Sequence, residues 1–136
     1  MAMLAVALSL VFFYAPLDGD QGFIQKIFYV HVPLAITALC GFVGGGICAI
    51  MYLRTRATKW DMRSYVAIHL SLILAVGALV TGSIWARASW GVWWSWSENQ
   101  LVLFLVLFLF YCAYFMLRYS VDAGPARMNM SAVYAL

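Results

Sequence analysis

The sequence predicts an all-α protein, a polytopic transmembrane bundle of about four helices with the start of a fifth. Three observations predict it. Hydrophobic residues make up 66% of the 136 residues and charged residues 10%, against about 25% charged in a soluble domain. So few charges cannot coat a soluble surface. The apolar residues fall in long runs, and a membrane-spanning helix needs roughly 20 of them at about 1.5 Å each. Lysine and arginine gather at alternate ends of those runs, as they do in multi-pass proteins.

The elements follow in order. Residues 1–16 are apolar but short for a full span. Residues 27–53 form an apolar run broken by a single histidine, His31. Residues 64–86 form the next, with His69 near its start, and residues 101–117 are a dense Leu, Val and Phe run without charge. Residues 128–136 begin a further apolar segment. Both ends read as clipped, so residues 1–136 are expected to be one helical membrane domain that continues beyond its C-terminal end. No charged stretch leads into a small-residue cleavage site, so no signal peptide is expected. Gly41 and Gly45 make a GxxxG pair followed by Gly46, a helix-packing signal, and Gly77 and Gly82 are expected to pack in the same way. Cys40, Cys48 and Cys112 lie inside apolar runs without metal or disulfide spacing and read as small packing residues.

Arg54, Arg56, Lys59 and Arg63 crowd one link, and Arg118 and Arg127 follow the 101–117 run. The opposite loops hold only Lys26 and Arg87. The basic ends are expected to be cytoplasmic, which places residues 17–26 and 87–100 outside, in the periplasm of a Gram-negative bacterium. The net charge of +3 comes from this clustering and implies no nucleic-acid partner.

The outer loop Trp90-Gly91-Val92-Trp93-Trp94-Ser95-Trp96 holds four of the six tryptophans, with Trp85 just upstream. An interfacial belt spreads its aromatics over many helix ends. Clustering in one loop favours instead a flat apolar platform for a large planar ligand, because aromatic rings bury much area and stack with offset geometry. His31 stands at the outer end of its helix, two residues before Pro33. Alone it reads as a headgroup-boundary histidine bonded to water. With the tryptophans on the same face it becomes a candidate axial ligand of haem iron, since neutral imidazole is a common one. Pro33 removes a helix hydrogen bond and is expected to aim the ring outward from the helix. His69 lies near the cytoplasmic end, a bilayer core of about 30 Å away, and is expected to serve packing or hydrogen bonding. Ser97 is expected to cap the next helix, with Glu98 in its first turn. The sequence has no paired carboxylates, HExxH, nucleophile elbow or phosphate loop, so an enzyme is not expected.

Three stretches together resemble the haem-handling membrane proteins of the cytochrome c assembly family, in its heme exporter protein C branch. The first runs through Ala15-Pro16-Leu17-Asp18 to Tyr29-Val30-His31-Val32-Pro33. The second is Leu79-Val80-Thr81-Gly82-Ser83-Ile84-Trp85. The third is the tryptophan loop, similar to the family's W-G-x-W-W-x-W-D. The resemblance implies haem b as transient cargo on the outer face of the bacterial inner membrane. It implies His31 as an axial iron ligand, and Trp90, Trp93, Trp94, Trp96 and Glu98 as haem-contacting residues. A membrane-anchored haem chaperone and ABC transporter subunits are the implied partners. The sequence departs from the pattern where Ser97 stands in place of the family's aspartate. Glu98 follows as if one residue were inserted, and Gln100 falls where the family often has arginine. The family's second iron-ligating histidine belongs to a later external loop, so a two-histidine site is not expected from these residues alone.

The competing reading is a structural or permease subunit that binds no haem. A permease should place polar residues along a path near the midplane, whereas here the unusual residues sit at the outer end. The topology is checked by cysteine-accessibility labelling in a cysteine-free background. A cysteine at Ser95 should react with an impermeant reagent on intact cells and one at Ala57 should not, and labelling of Ala57 from outside would reverse the orientation.

Overall fold

A computed structural model describes residues 2–136, and its regular elements are all helices. They are α1 (Ala2–Ser9), α2 (Phe28–Thr55), α3 (Thr58–Trp90), α4 (Asn99–Ser120) and α5 (Pro125–Tyr134). A π-helical turn, Leu10–Tyr14, extends α1, and a 3-10 turn, Phe23–Ile27, leads into α2. Three segments are long and apolar enough to cross a membrane: Phe23–Thr55, Thr58–Trp90 and Asn99–Ser120. The chain is therefore a multi-pass helical membrane protein, as its apolar runs predict. The outward faces of these helices carry exposed Ile, Leu and Val side chains, as a lipid-facing surface requires.

The spans run further than the apolar windows suggest. The α3 helix has 33 residues, about 50 Å at 1.5 Å each. Arg87 and Trp90 therefore belong to its last turn rather than to a loop. Backbone hydrogen bonding continues through polar residues wherever no breaker intervenes, and hydropathy is blind to that. At the other end, α2 stops at Arg56, whose φ of 56° is left-handed and whose N–H donates to Tyr52 O at 2.7 Å.

The α2–α3 hairpin is the tightest part of the structure. A Cβ on Gly41 would collide with Ser71 Oγ, and one on Gly45 would lie 2.6 Å from Ile68 Cγ1. Without side chains there, the backbones come close enough for Ser64 Oγ to donate to Gly45 O at 2.8 Å. This is the small-residue packing expected of the GxxxG pair. Gly77 receives Leu34 in the same way. On the other flank of α2, Phe42 stacks on Tyr111 of α4 with centroids 4.1 Å apart. The short α5 folds back beside α2. Its Asn129 Oδ1 accepts from Tyr52 Oη at 3.1 Å and from the Arg56 guanidinium, and Ala135 O faces Gly46. Cys48 and Cys112 are half-buried packing residues as expected, but Cys40 lies exposed on the outward face of α2.

The α1 helix stands apart, with its side chains exposed. Lys26 links its π turn to the bundle. The buried ammonium donates to Phe12 O at 2.8 Å and sits 5.6 Å from the Phe23 ring. A cation near the carbonyl end of a helical segment is favourably placed.

Asp61 near the start of α3 and Arg118 near the end of α4 form a buried pair that the sequence did not reveal. Two parallel hydrogen bonds, 2.7 and 2.9 Å long, join guanidinium to carboxylate. The Tyr65 ring lies 4.8 Å from Arg118 Cζ, and Tyr114 Oη lies 3.5 Å from Nη1. Removing one partner leaves an uncompensated buried charge, so Asp61→Ala should destabilise the folded chain by about 3–5 kcal/mol. Replacing both partners (Asp61→Leu with Arg118→Met) should recover most of it. Equilibrium unfolding in detergent checks both, and a silent D61A would mean the pair is solvated.

Candidate functional site

At the end of the bundle opposite the Asp61–Arg118 pair, α2, α3 and α4 enclose a cavity of about 290 Å³. Small residues make the space: Ala35 on α2 and Ala78, Gly82 and Ala86 on α3. Phe28, His31, Trp85, Trp90, Trp94 and Glu98 supply its chemistry. The volume is at the low end for pockets that engulf a drug-sized ligand, about 300–1,000 Å³. It suits one edge of a larger planar molecule, with the remainder outside.

His31 sits one turn into α2, and the helix runs on through Pro33. The ring is turned onto α3 rather than outward, which corrects the expectation drawn from the proline. Its Nδ1 lies 3.0 Å from Thr81 Oγ1. A Cβ on Gly82 would stand 2.9 Å from the ring's Cε1. Gly82 is thus the floor on which the imidazole lies, a more specific role than general helix packing.

The aromatic wall is built from both ends of a turn. Trp90 closes α3, and Gly91 follows at φ 77°, a left-handed position suited to glycine, with its N–H on Arg87 O at 3.2 Å. The Arg87 guanidinium donates to the Gly91 carbonyl, holding the turn. Trp85 meets Phe28 edge-on at 5.1 Å and Trp90 at 4.9 Å. Its Nε1 donates to Gln21 Oε1 at 3.2 Å, tying the first outer loop to the site. Trp94 faces the cavity and meets Trp96 edge-on at 5.8 Å. Its buried Nε1 has no hydrogen-bond partner among the described residues.

Of the predicted site residues, the fold therefore brings together His31, Trp90, Trp94 and Glu98. Trp93 and Trp96 lie outside the cavity, 61% and 73% exposed. The flat platform expected from the sequence is instead an angled wall, because successive rings meet at 64°, 75° and 67°. Glu98 occupies the N-cap of α4 without a side-chain capping bond. The expected Ser97 cap is not formed, since helix geometry begins only at Asn99 and Ser97 Oγ bonds Ser95 Oγ at 2.8 Å. Phe28, Trp85 and Thr81 were missed as site residues, although Thr81 and Trp85 stand inside one of the three motif stretches. His69 lies 13 residues before Gly82 on α3, about 20 Å along the axis. It packs edge-on against Tyr65 and Phe115, at 5.6 and 5.3 Å, as a packing histidine would.

Among the described residues no group of three or more His, Cys, Asp or Glu could hold a metal ion. One imidazole beside aromatic walls suits a metal that arrives already held by its own macrocycle.

The family model described as heme exporter protein C matches residues 1–136. Three proteins named heme exporter protein C illustrate the likeness. The one from Rhodobacter capsulatus is 30% identical over 125 residues, which is 92% of this chain and 51% of that protein. The one from Paracoccus denitrificans is 32% identical over 124 residues, 91% and 51% respectively. The one from Escherichia coli K12 is 30% identical over 99 residues, 73% and 40%. The chain thus spans about half the length of the curated relatives it matches.

The floor under His31 gives a test that needs no ligand. Gly82→Ala should overpack the site and cost about 1–3 kcal/mol of stability, measured by thermal unfolding in detergent. The same change in a His31→Ala background should cost far less. Equal costs in both backgrounds would mean the ring does not lie on Gly82.

Proposed function

The chain belongs to the heme exporter protein C family, and we propose that it binds haem at the outer face of the bacterial inner membrane and takes part in handing it to a haem chaperone for cytochrome c maturation. The observation that carries this reading is the meeting of His31 with Trp85, Trp90 and Trp94 around one cavity. The basic links at the far end of the bundle support an outward-facing, periplasmic site.

In this reading His31 is an axial ligand of the iron of haem b. Phe28, Trp85, Trp90 and Trp94 bury one edge of the porphyrin, where aromatic area contributes most. The Trp94 indole N–H, buried without an acceptor, donates to a polar group that the cargo brings. Glu98 places a carboxylate at the α4 end of the cavity, which turns the anionic propionates away from that side and toward water. A cavity smaller than the whole ring leaves the remainder of the porphyrin accessible, and accessibility is what a transfer protein needs. Trp93 and Trp96, exposed beside the site, are placed to cover the protruding ring or to meet the chaperone. ABC transporter subunits of the maturation system are the further partners of this reading. No bond is made or broken in the cargo beyond ligation and release of iron.

His31→Ala should abolish or strongly shift the Soret band of the detergent-purified protein with added haem, and His69→Ala should leave it nearly unchanged. Trp94→Ala should weaken haem retention more than Trp93→Ala does, because only Trp94 lines the cavity. The reverse pattern between the two histidines would move the site to the other end of α3.

A further inference from the structure

Building on the haem reading above, we propose that Thr81 is a positioning residue that fixes the tautomer of His31 and leaves its unprotonated Nε2 facing the cavity. A threonine hydroxyl has one proton to give and two lone pairs. Thr81 Oγ1 lies 2.8 Å from Gly77 O and 3.2 Å from Ala78 O, and carbonyl oxygens only accept. It also lies 3.0 Å from His31 Nδ1. Two arrangements compete. In one, the hydroxyl proton goes to the Gly77 carbonyl and a lone pair accepts from Nδ1–H, which makes two hydrogen bonds. In the other, the hydroxyl donates to Nδ1. The carbonyl bond is then lost, and no hydrogen bond to Nε2 is present among the described residues to offset it. The first arrangement satisfies more groups and is the one the site selects.

That choice has a chemical consequence. A neutral imidazole binds metal through one nitrogen while the other donates a hydrogen bond to a neighbour, which holds the ring and raises the basicity of the ligating atom. Thr81 is that neighbour here. Gly82, the next residue, supplies the flat surface that keeps the ring from rotating out of the bond. One turn of α3 therefore prepares a histidine on α2. A hydroxyl at this position is the requirement. Valine has nearly the same shape as threonine but cannot accept a hydrogen bond, while serine can.

The full chain, labelled with ¹⁵N-histidine and purified without haem, reports the tautomer directly through two-bond proton–nitrogen correlations, with His69→Ala used to assign the signals. The expected result is an Nδ1–H, Nε2-unprotonated His31 in the wild type and in Thr81→Ser, and loss of that preference in Thr81→Val. Haem titration should show Thr81→Val weakened by about 10- to 100-fold, with a shifted Soret band, and Thr81→Ser restored to near wild type. An Nε2–H tautomer in the wild type would overturn the proposal. So would a Thr81→Val protein with unchanged tautomer and unchanged affinity. If Thr81→Val does not fold, the nitrogen shifts of wild type and Thr81→Ser decide it alone. Undiminished haem binding by His31→Ala would overturn the haem reading, and ligation by His31 with it. The two failures are told apart because the nitrogen shifts are read without haem.

Discussion

Close approach of α2 to α3 is the constraint on which the rest of the structure depends. Lipid is as apolar as leucine, so burial of hydrocarbon does little to hold two helices together in a bilayer, and contact area between their backbones must do it. Gly41 and Gly45 present bare backbone toward Ser71 and Ile68, and Gly77 receives Leu34. The same absence of side chains at Gly82 lets the His31 ring lie on α3 within reach of Thr81. Packing and site are thus consequences of one geometric fact. Had the helices stood an ångström or two further apart, the imidazole would have no partner on α3 and no defined orientation.

Polar groups within the bundle follow a consistent rule. Ser64 bonds the backbone of the opposing helix, and Thr81 and Ser83 donate to the carbonyls of Gly77 and Leu79 one turn back on their own helix. Asp61 and Arg118 neutralise each other. In a medium without water each of these groups must find its partner within the protein. The groups left without protein partners are correspondingly few among the described residues, and one of them, the Trp94 indole, belongs to the cavity wall.

The fold was legible in the sequence because the length of an apolar run is a direct physical requirement for spanning a bilayer. Helix ends were not, since hydropathy falls at Arg87 while backbone hydrogen bonding continues to Trp90. The gathering of tryptophans at one end of the bundle was legible from clustering alone. Which rings face inward was not, because that depends on the left-handed turn at Gly91 and the late start of α4 at Asn99. Thr81 gave no signal of its own, as threonines in apolar helices routinely bond back to the preceding turn. The Asp61–Arg118 pair joins residues 57 positions apart. The rule that places arginine at the cytoplasmic end explains its neighbourhood and not its partner.

The position of that ion pair has a mechanical consequence. Side-chain hydrogen bonds between α3 and α4 fall at one end only, through Asp61–Arg118 and the Tyr65–Tyr119 hydroxyls at 3.0 Å. The other end of α4, which carries Glu98 and continues from Trp94, has none to α3 among the described residues. Arg118 stands twenty positions after Glu98, a distance of about 30 Å along the helix. A tilt of about 2° at the pivot moves the far end by about 1 Å over that length. His31 and its floor stand on the tightly packed α2–α3 hairpin. The cavity therefore has one wall set by close backbone packing, the α2–α3 hairpin, and one wall, the start of α4, that no side-chain hydrogen bond ties to α3 among the described residues.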